Sequence, residues 1–169
     1  MLVKSVKSVS VYEPSALAAN ESVGDVILVT MKKIGLSQAD GLEIINAKLS
    51  NKNQDYFDFL YNKLNRKGYL ERDCQRLVNQ DRNIFAACMV ENGDADGMVT
   101  GSTRNYFVAY DDITKVIDPA PNSRIFGLSI LMIEGRTLFI ADTTVHYSPS
   151  SEELADIACQ TRRRPWGGS

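Results

Sequence analysis

The sequence predicts a layered α/β fold, with helices packed on both faces of a sheet. Two observations lead to this prediction. Amphipathic helical patterns alternate along the chain with short apolar runs, and glycine, serine or proline separates many of them. The 169 residues, of which 44% are hydrophobic and 24% charged, are also enough to bury a core with an ordinary globular composition.

The first half of the chain contains two predicted strands and two predicted helices. Apolar runs at residues 26–29 and 42–47 predict short buried strands. A helix that ends at Gly68 is predicted after Asn53, and a longer helix is predicted over residues 71–91. The apolar face of the first helix would carry Phe57, Leu60, Tyr61 and Leu64. The apolar face of the second would carry Cys74, Leu77, Val78, Ile84, Phe85 and Met89.

The second half begins with a predicted short strand at residues 97–101, bounded by glycines. A helical stripe of Tyr106, Phe107, Tyr110, Ile113, Val116 and Ile117 follows, and Asp118-Pro119 stops it. Two apolar strands at 125–133 and 137–145 predict an antiparallel hairpin with a three-residue turn. The last predicted helix has Ser148 as its cap, an apolar face of Leu154, Ile157 and Ala158, and a basic tail, 161–169, that interrupts it.

Charge and composition exclude several classes of function. The net charge of -2 gives no electrostatic reason to expect nucleic acid or an anionic membrane as a partner. The chain has no run of about 18 apolar residues, and its start does not resemble a signal peptide. Its three cysteines, Cys74, Cys88 and Cys159, match no metal-binding spacing, so we expect reduced thiols in a cytoplasmic protein.

The strongest candidate binding segment comprises Thr100, Gly101, Ser102, Thr103 and Arg104. Backbone N–H groups at a helix start, three hydroxyl groups and an arginine together suit a phosphate or carboxylate. The alternative is a plain helix cap, in which Ser102 or Thr103 satisfies the first N–H groups of the helix. Spacing alone leaves both interpretations open.

Three acidic residues are weaker candidates. Asp142 lies near the end of a predicted strand, where ligands of α/β sheets gather, and the alternative is that it caps the next loop. Asp94 and Asp96 resemble part of a calcium loop, but Asn105 stands where the loop needs a glutamate, so a turn is expected and no metal site. The single histidine, His146, has no motif around it that supports a catalytic triad. The sequence therefore assigns no catalytic residue.

Three stretches together resemble a known family. NIFAACMVENGDADGMVTG, at residues 83–101, is similar to the phosphotransacetylase pattern of a helix followed by G-D/E-A-D-A/G-M-I/V-S/C-G. TLFIADTTVHYSPSSEELA, at residues 137–155, is similar to the pattern F-ADT-V-N-P-T-E-LA. Residues 56–90 resemble the malic-enzyme subgroup, whose phosphate acetyl/butyryl transferase-like domain follows the malate-oxidising domain in bacterial NADP-dependent enzymes. The resemblance covers residues 32–160.

The resemblance implies a partial domain with a layered α/β/α fold of the isocitrate/isopropylmalate dehydrogenase-like type. The implied divisions are a divergent segment at 1–30, the partial phosphotransacetylase-like domain at 31–160 and a basic tail at 161–169. Arg104 stands where active transferases usually carry a histidine, and His146 stands where the family often has asparagine. These two departures put catalysis in doubt.

The function implied by the resemblance is regulation and assembly of an NADP-dependent malic enzyme. Acetyl-CoA or phosphate is the implied ligand, held by the candidate segment and Asp142, and a homo-oligomer is the implied assembly. NADP and a divalent metal would belong to the malate-oxidising domain, and the family places its acetyl-transfer residues beyond the matching segment. The alternatives are an acetyltransferase that moves acetyl between CoA and phosphate, and a small ligand-binding module.

Overall fold

The computed structural model describes residues 9–12, 43–101 and 104–163, and the chain divides into two compact units at Ile117 and Asp118. This division falls inside the segment 31–160 that the sequence assigned to one domain. The strand predicted at 26–29 and the tail from residue 164 lie outside the described residues.

Two parallel strands open the first unit. Strand β1 is Val9–Tyr12 and strand β2 is Glu43–Asn46, paired from Val9 with Glu43 to Tyr12 with Asn46. Strand β2 confirms the predicted run at 42–47. No strand was expected at Val9–Tyr12, because a four-residue pattern is too short to stand out from its serine-rich surroundings.

The first helix matches its prediction. Helix α1 is Asn53–Leu64, and a 3₁₀ turn, Asn65–Lys67, carries the chain from it to Gly68. Gly68 has a φ of 89°, a left-handed conformation that glycine adopts without strain. The helix therefore ends where the glycine allows the chain to reverse.

The helix predicted over 71–91 is in fact two helices, and the single-helix prediction is wrong. Helix α2 is Glu71–Gln80 and helix α3 is Arg82–Glu91. Between them, Asp81 is extended, with φ -105° and ψ 111°. Its carboxylate Oδ1 accepts hydrogen bonds from the N–H groups of Asn83, at 2.8 Å, and Ile84, at 3.2 Å. An aspartate in this position caps the new helix, which compensates for the interruption of the old one.

The core of the first unit is formed where α1, α2 and α3 meet. Tyr56 and Phe85 pack edge to face at its centre, with ring centroids 5.0 Å apart. The predicted apolar faces are confirmed, except that Phe57, Tyr61 and Leu77 are only partly buried. The fully buried side chains include Tyr56, Leu60, Leu64, Cys74, Val78, Ile84, Phe85, Cys88 and Val116. Each large aliphatic among them contributes about 1.5–3 kcal/mol of hydrophobic stabilisation.

The chain from residue 97 to 101 is irregular, so the strand predicted there is wrong. Its apolar residues do not form a buried strand, since Met98 packs on the core while Val99 is fully exposed. Helix α4, Tyr106–Val116, follows and confirms the predicted helix. Its cap is Asn105, whose side-chain oxygen accepts the Phe107 N–H at 2.9 Å; the candidate caps Ser102 and Thr103 lie outside the described residues.

The second unit begins with an antiparallel hairpin. Strand β3 is Leu128–Ile133 and strand β4 is Arg136–Ala141, so both strands are shorter than predicted. The turn has two residues and not three, because Ile133 pairs directly with Arg136. Glu134 and Gly135 have φ values of 45° and 78°, the conformation of a two-residue turn that matches the twist of the strands.

Helix α5, Ser151–Arg163, completes the second unit. Its cap is Ser150 and not the predicted Ser148: the Ser150 hydroxyl accepts the Glu153 N–H, and the Glu153 carboxylate accepts the Ser150 N–H. Only Ile157 of its predicted apolar face is buried, and the helix continues through Thr161, where an interruption was expected. No helix in the described ranges is long and apolar enough to cross a membrane.

Candidate functional site

The predicted anion-binding segment connects the loop after α3 to the start of α4. Thr100, Gly101 and Arg104 of this segment are described, whereas Ser102 and Thr103 lie outside the described residues. Gly101 has a φ of 124°, a conformation that side chains other than hydrogen rarely allow. The backbone therefore needs a glycine here in order to turn toward Arg104.

Thr100 is tied to the helices behind the segment. Its hydroxyl donates to Asn83 Oδ1 at 2.6 Å, and the Asn83 amide in turn donates to Asp112 Oδ2 at 3.5 Å. Asn83 is almost completely buried, on α3, and Asp112 is buried on α4. Buried polar groups stabilise a structure only when they are paired, so this chain of contacts fixes the entry to the segment.

Arg104 forms ion pairs on both sides of the segment. Its Nη1 lies 2.5 Å from Asp81 Oδ2 and 3.5 Å from Asp112 Oδ2, and its side chain is only 19% exposed. Lys115 lies 3.4 Å from Asp112 and 2.6 Å from Asp111. Two cations thus face three carboxylates, so the charge of the arginine is compensated within the protein.

The Lys115 ammonium group is firmly charged. Burial acts to lower its pKa, but the hydrogen bonds to Asp111 and Asp112 outweigh burial and raise the pKa above its ordinary value. The lysine therefore remains a cationic partner for Asp112 throughout the neutral range.

An exposed aromatic cluster begins at the first turn of α4, directly after Arg104 and Asn105. Tyr106 lies edge-on to Phe107, with centroids 5.5 Å apart, and stacks on Tyr110 at 6.0 Å. Phe107 is 72% exposed and Tyr106 is also exposed, so the predicted apolar stripe of α4 is wrong at these positions. Val116 of the predicted stripe is buried, together with Ala109 and Asp112, which were not part of it. Exposed rings beside a helix N-terminus offer stacking surface together with partial positive charge.

Asp142 lies in the second unit, just after β4, where it organises the following loop. Its Oδ1 accepts the N–H groups of Gly127, Thr144 and Val145 at 2.7, 3.1 and 3.2 Å. Its Oδ2 accepts the His146 N–H at 2.9 Å and contacts His146 Nδ1 at 2.6 Å. The Asp142 side chain is 2% exposed. These contacts agree with the loop-capping alternative for this residue.

The hydrogen bonds to Asp142 keep it ionised. Burial acts to raise the pKa of the carboxyl group, but the hydrogen bonds from the His146 ring and from the backbone N–H groups of Thr144, Gly127 and Val145 outweigh burial. Together they hold the pKa of Asp142 well below its ordinary value. The ionised carboxylate can only accept, so Nδ1 of His146 is the donor in this contact.

Sequence reasoning missed the partners of both candidate regions. The four-residue spacing of Asp142 and His146 was a usable signal for their pairing, and Asp81 directly before a new helix was a signal for a cap. Asp112 gave no signal, because an aspartate within a helix normally faces solvent.

The acidic turn at residues 94–96 has a structural role. The Tyr56 hydroxyl donates to Asp94 Oδ2 at 2.7 Å, and Lys52 lies 3.3 Å from Asp94 Oδ1. Among the residues that the structure describes, no group of three or more histidine, cysteine, aspartate or glutamate side chains could hold a metal ion. Asp94 thus joins the turn to α1.

Comparison with known proteins agrees with the resemblance found in the sequence. Residues 4–164 match the phosphate acetyl/butaryl transferase family. An NADP-dependent malic enzyme of Rhizobium meliloti is 51% identical over 154 residues, which are 85% of this chain and 20% of that enzyme. A phosphate acetyltransferase of Thermoanaerobacterium thermosaccharolyticum is 27% identical over 166 residues, 50% of its length. The chain thus spans about one fifth of the length of the malic enzyme it matches.

A solved structure shares the fold. The EutD phosphotransacetylase from Staphylococcus aureus superposes with a TM-score of 0.65 at 22% sequence identity, covering 81% of this chain and 41% of that chain. This likeness confirms the predicted α/β fold.

Proposed function

Because this chain belongs to the phosphate acetyl/butaryl transferase family, we propose that it is a regulatory and assembly part of an NADP-dependent malic enzyme. It is a phosphate acetyltransferase-like domain of the kind found in malic enzymes. The proposed ligand is acetyl-CoA or phosphate, and the proposed role involves no acetyl transfer by this chain alone. The 51% identity to a malic enzyme carries the assignment to that subgroup.

The segment at residues 100–104 and the aromatic cluster of α4 support acetyl-CoA as the ligand. The proposed site combines Arg104, the hydroxyl of Thr100, the backbone at Gly101 and the first turn of α4, with Ser102 and Thr103 kept from the sequence prediction. Phosphate groups suit the arginine and the helix start, and a purine ring suits the exposed face of Phe107. Asp142, in the second unit, is kept in the proposal only as the residue that holds the loop after β4 in place.

The proposed absence of catalysis rests on the state of Arg104. Acetyl transfer needs several groups arranged around a developing oxyanion, and the nearest cation at this segment is paired with Asp81 and Asp112. Among the described residues no group of three or more histidine, cysteine, aspartate or glutamate side chains could hold a metal ion, and the sequence contains no GxGxxG for a dinucleotide. We propose that both bind the malate-oxidising domain of such an enzyme.

A second candidate function is acetyl transfer between CoA and phosphate, and one observation favours it. Asp142 holds Nδ1 of His146, an arrangement in which a carboxylate orients a histidine that accepts a proton through Nε2. In this alternative, Nε2 of His146 takes the proton of the CoA thiol, the thiolate bonds to the carbonyl carbon of acetyl phosphate, and the bond from that carbon to the phosphate oxygen breaks, releasing inorganic phosphate.

We also propose a homo-oligomer in which a second copy covers the hairpin. Ile130 pairs with Phe139 on one face, while the neighbouring pair, Leu131 and Leu138, lies on the other face. All four are between 37% and 50% exposed, and Met132 is 85% exposed. Strands that are apolar on both faces are normally buried on both, and contiguous apolar surface of this kind marks an interaction site. The reduced, mostly buried cysteines agree with a proposed cytoplasmic location.

The test measures binding and turnover on the same preparation. Acetyl-CoA is titrated by calorimetry, and CoA consumption is followed with acetyl phosphate as the donor. We expect binding without turnover. Turnover that is lost in His146→Asn but kept in a Ser129→Ala control would support the acetyltransferase instead. An absence of both binding and turnover would contradict both functions.

A further inference from the structure

Strand β3 has a free outer edge. Within the ranges that the structure describes, β3 pairs with β4 alone, and helix α5 packs against β4. The outer edge of a strand presents unpaired N–H and C=O groups that can bind a further strand. A two-stranded hairpin is also only marginally stable by itself, whereas a sheet of three or more strands is normally stable. A further strand at the edge of β3 would therefore stabilise the hairpin.

The edge of β3 lacks the features that normally prevent strand pairing. These features are charged side chains, proline and β-bulges. Residues 128–133 include no charged residue and no proline, and all six pair in unbroken register with β4. The strand is also apolar and accessible, because Ile130, Leu131, Met132 and Ile133 are each at least 40% exposed. Strand β3 can therefore pair along its whole length.

The two-residue turn determines which backbone groups of β3 face outward. The residues on either side of such a turn are joined by hydrogen bonds, so the N–H and C=O groups of Ile133 point toward β4. This direction alternates from one residue to the next along an antiparallel strand. The backbone groups of Leu128, Ile130 and Met132 therefore point outward, with one donor and one acceptor from each residue.

A second copy of β3 fits this edge in one register better than in any other. When a two-fold axis stands perpendicular to the sheet, the two strands run antiparallel and every side chain keeps its face, so even-numbered residues oppose even-numbered ones. With Ile130 on the axis, Ile130 opposes itself and Leu128 opposes Met132 of the second copy, which pairs every outward group. Any shifted register places one of these residues opposite a position outside the strand.

The charge beside the turn also favours an antiparallel arrangement of two copies. Glu134 directly follows β3, and in this register it would lie opposite residue 126 of the second copy. The two Glu134 residues would then be eight positions apart along the sheet, about 27 Å at about 3.4 Å per residue. A parallel arrangement would place the two carboxylates side by side, where like charges repel each other.

We propose that two copies of this chain pair antiparallel through β3, with Ile130 on the two-fold axis, and form a four-stranded sheet. Strand β4 forms both outer edges of this sheet, where the charged side chain of Arg136 disfavours the addition of further strands. This inference rests on the proposed homo-oligomer, and it specifies the strand and the register of the contact.

Disulfide formation between copies tests the register. A cysteine at position 130 would oppose itself with Cα atoms about 5.5 Å apart, within the reach of a disulfide. A cysteine at position 131 would lie diagonally from its equivalent, about 7–8 Å away and beyond that reach. Ile130→Cys and its matched control Leu131→Cys are made in a Cys159→Ser background, because Cys159 is the exposed natural thiol. Both are oxidised with diamide and followed by non-reducing electrophoresis.

We expect Ile130→Cys to form a covalent dimer at least about tenfold faster than Leu131→Cys, because the distances differ on either side of the disulfide limit. Leu131→Cys should instead react with Ser129→Cys when the two variants are mixed, since positions 129 and 131 oppose each other in this register. Ile130→Pro is a second test, because proline removes an outward N–H and no bond between β3 and β4. It should be a monomer in light scattering with unchanged helix content.

The contrary results separate this pairing from the proposed homo-oligomer. If wild type is an oligomer in light scattering but Ile130→Cys reacts no faster than Leu131→Cys, the proposed pairing is wrong while the homo-oligomer stands. An Ile130→Pro variant that stays oligomeric leads to the same conclusion. If wild type is a monomer at micromolar concentration, both the pairing and the homo-oligomer are wrong.

Discussion

The Asp142→Asn substitution should destabilise the second unit more than its small change in size suggests. An asparagine can still accept the N–H groups of Gly127, Thr144 and Val145 through its oxygen. Its NH₂ group would then replace Oδ2, which accepts the backbone N–H and the ring Nδ1–H of His146. The backbone N–H and the ring Nδ1–H of His146 would then face an NH₂ group, which is also a donor. The two hydrogen bonds that His146 makes to the buried carboxylate would therefore be lost. At about 1.5–3 kcal/mol each, the expected cost is about 3–6 kcal/mol.

The wild-type contribution of Asp142 also has a defined pH dependence. A carboxyl group whose pKa is depressed in the folded state stabilises the protein above its unfolded pKa, about 3.9, and loses this stabilisation as the pH falls through the folded pKa. Because the pKa of Asp142 is well below its ordinary value, its contribution should persist at pH 5 and disappear only in stronger acid. Asp142→Asn should remove this acid-dependent part of the stability curve.

Hydrogen exchange measured by NMR tests the reasoning at the atoms concerned. The amides of Val145 and His146 should exchange slowly in wild type and at least tenfold faster in Asp142→Asn. The control is Asp156→Asn, whose carboxylate is 58% exposed and pairs with Arg124, and which should cost no more than about 1 kcal/mol in urea unfolding. Unchanged protection of His146 in Asp142→Asn would refute the role given to the carboxylate.

Three further predictions follow from packing and exposure. Gly127→Ala should lower the unfolding free energy by about 1–3 kcal/mol, because the new methyl carbon would lie 2.4 Å from the Thr144 hydroxyl oxygen. The control Gly97→Ala, where no atom lies within 4 Å of the added carbon, should be neutral; equal urea midpoints for the two variants would contradict this prediction. Burial raises the pKa of Cys88 to about 12, so mass spectrometry should find iodoacetamide on exposed Cys159 at pH 8 and none on Cys88; rapid labelling of both would show an open core. Met132→Lys should convert the proposed oligomer to monomers in light scattering without loss of helix content, and an unchanged mass would exclude this face from the interface.

The elements that could be predicted from the sequence are those that one local pattern determines. Helix α1 follows from its apolar spacing and Gly68, and the hairpin follows from two apolar runs around Glu134-Gly135. The break at Asp81 was missed because the apolar spacing continues across it, so only the capping side chain marks the boundary. The prediction of a strand at 97–101 was wrong because apolar residues between glycines do not show whether a partner strand is present.

The candidate site was predictable in position but not in its electrostatic state. Gly101 and Arg104 identify the loop, since their residue types are unusual together at a helix start. The partner Asp81 lies 23 positions earlier in the sequence, and only the packing of α3 against α4 brings the two together. No sequence pattern shows that the charge of Arg104 is compensated by Asp81 and Asp112. This compensation changes which anions the site can bind.

The two-residue turn of the hairpin has a consequence for synthesis of the chain. The paired residues of β3 and β4 are at most 13 positions apart, from Leu128 to Ala141, so the hairpin can form within about microseconds of leaving the ribosome. It would then present its apolar faces before a second copy covers them. Segments of this kind template intermolecular strand pairing, and here Glu134 and Arg136 are the charged residues beside the turn. Overexpression should therefore give inclusion bodies that decrease when synthesis is slowed by a lower temperature.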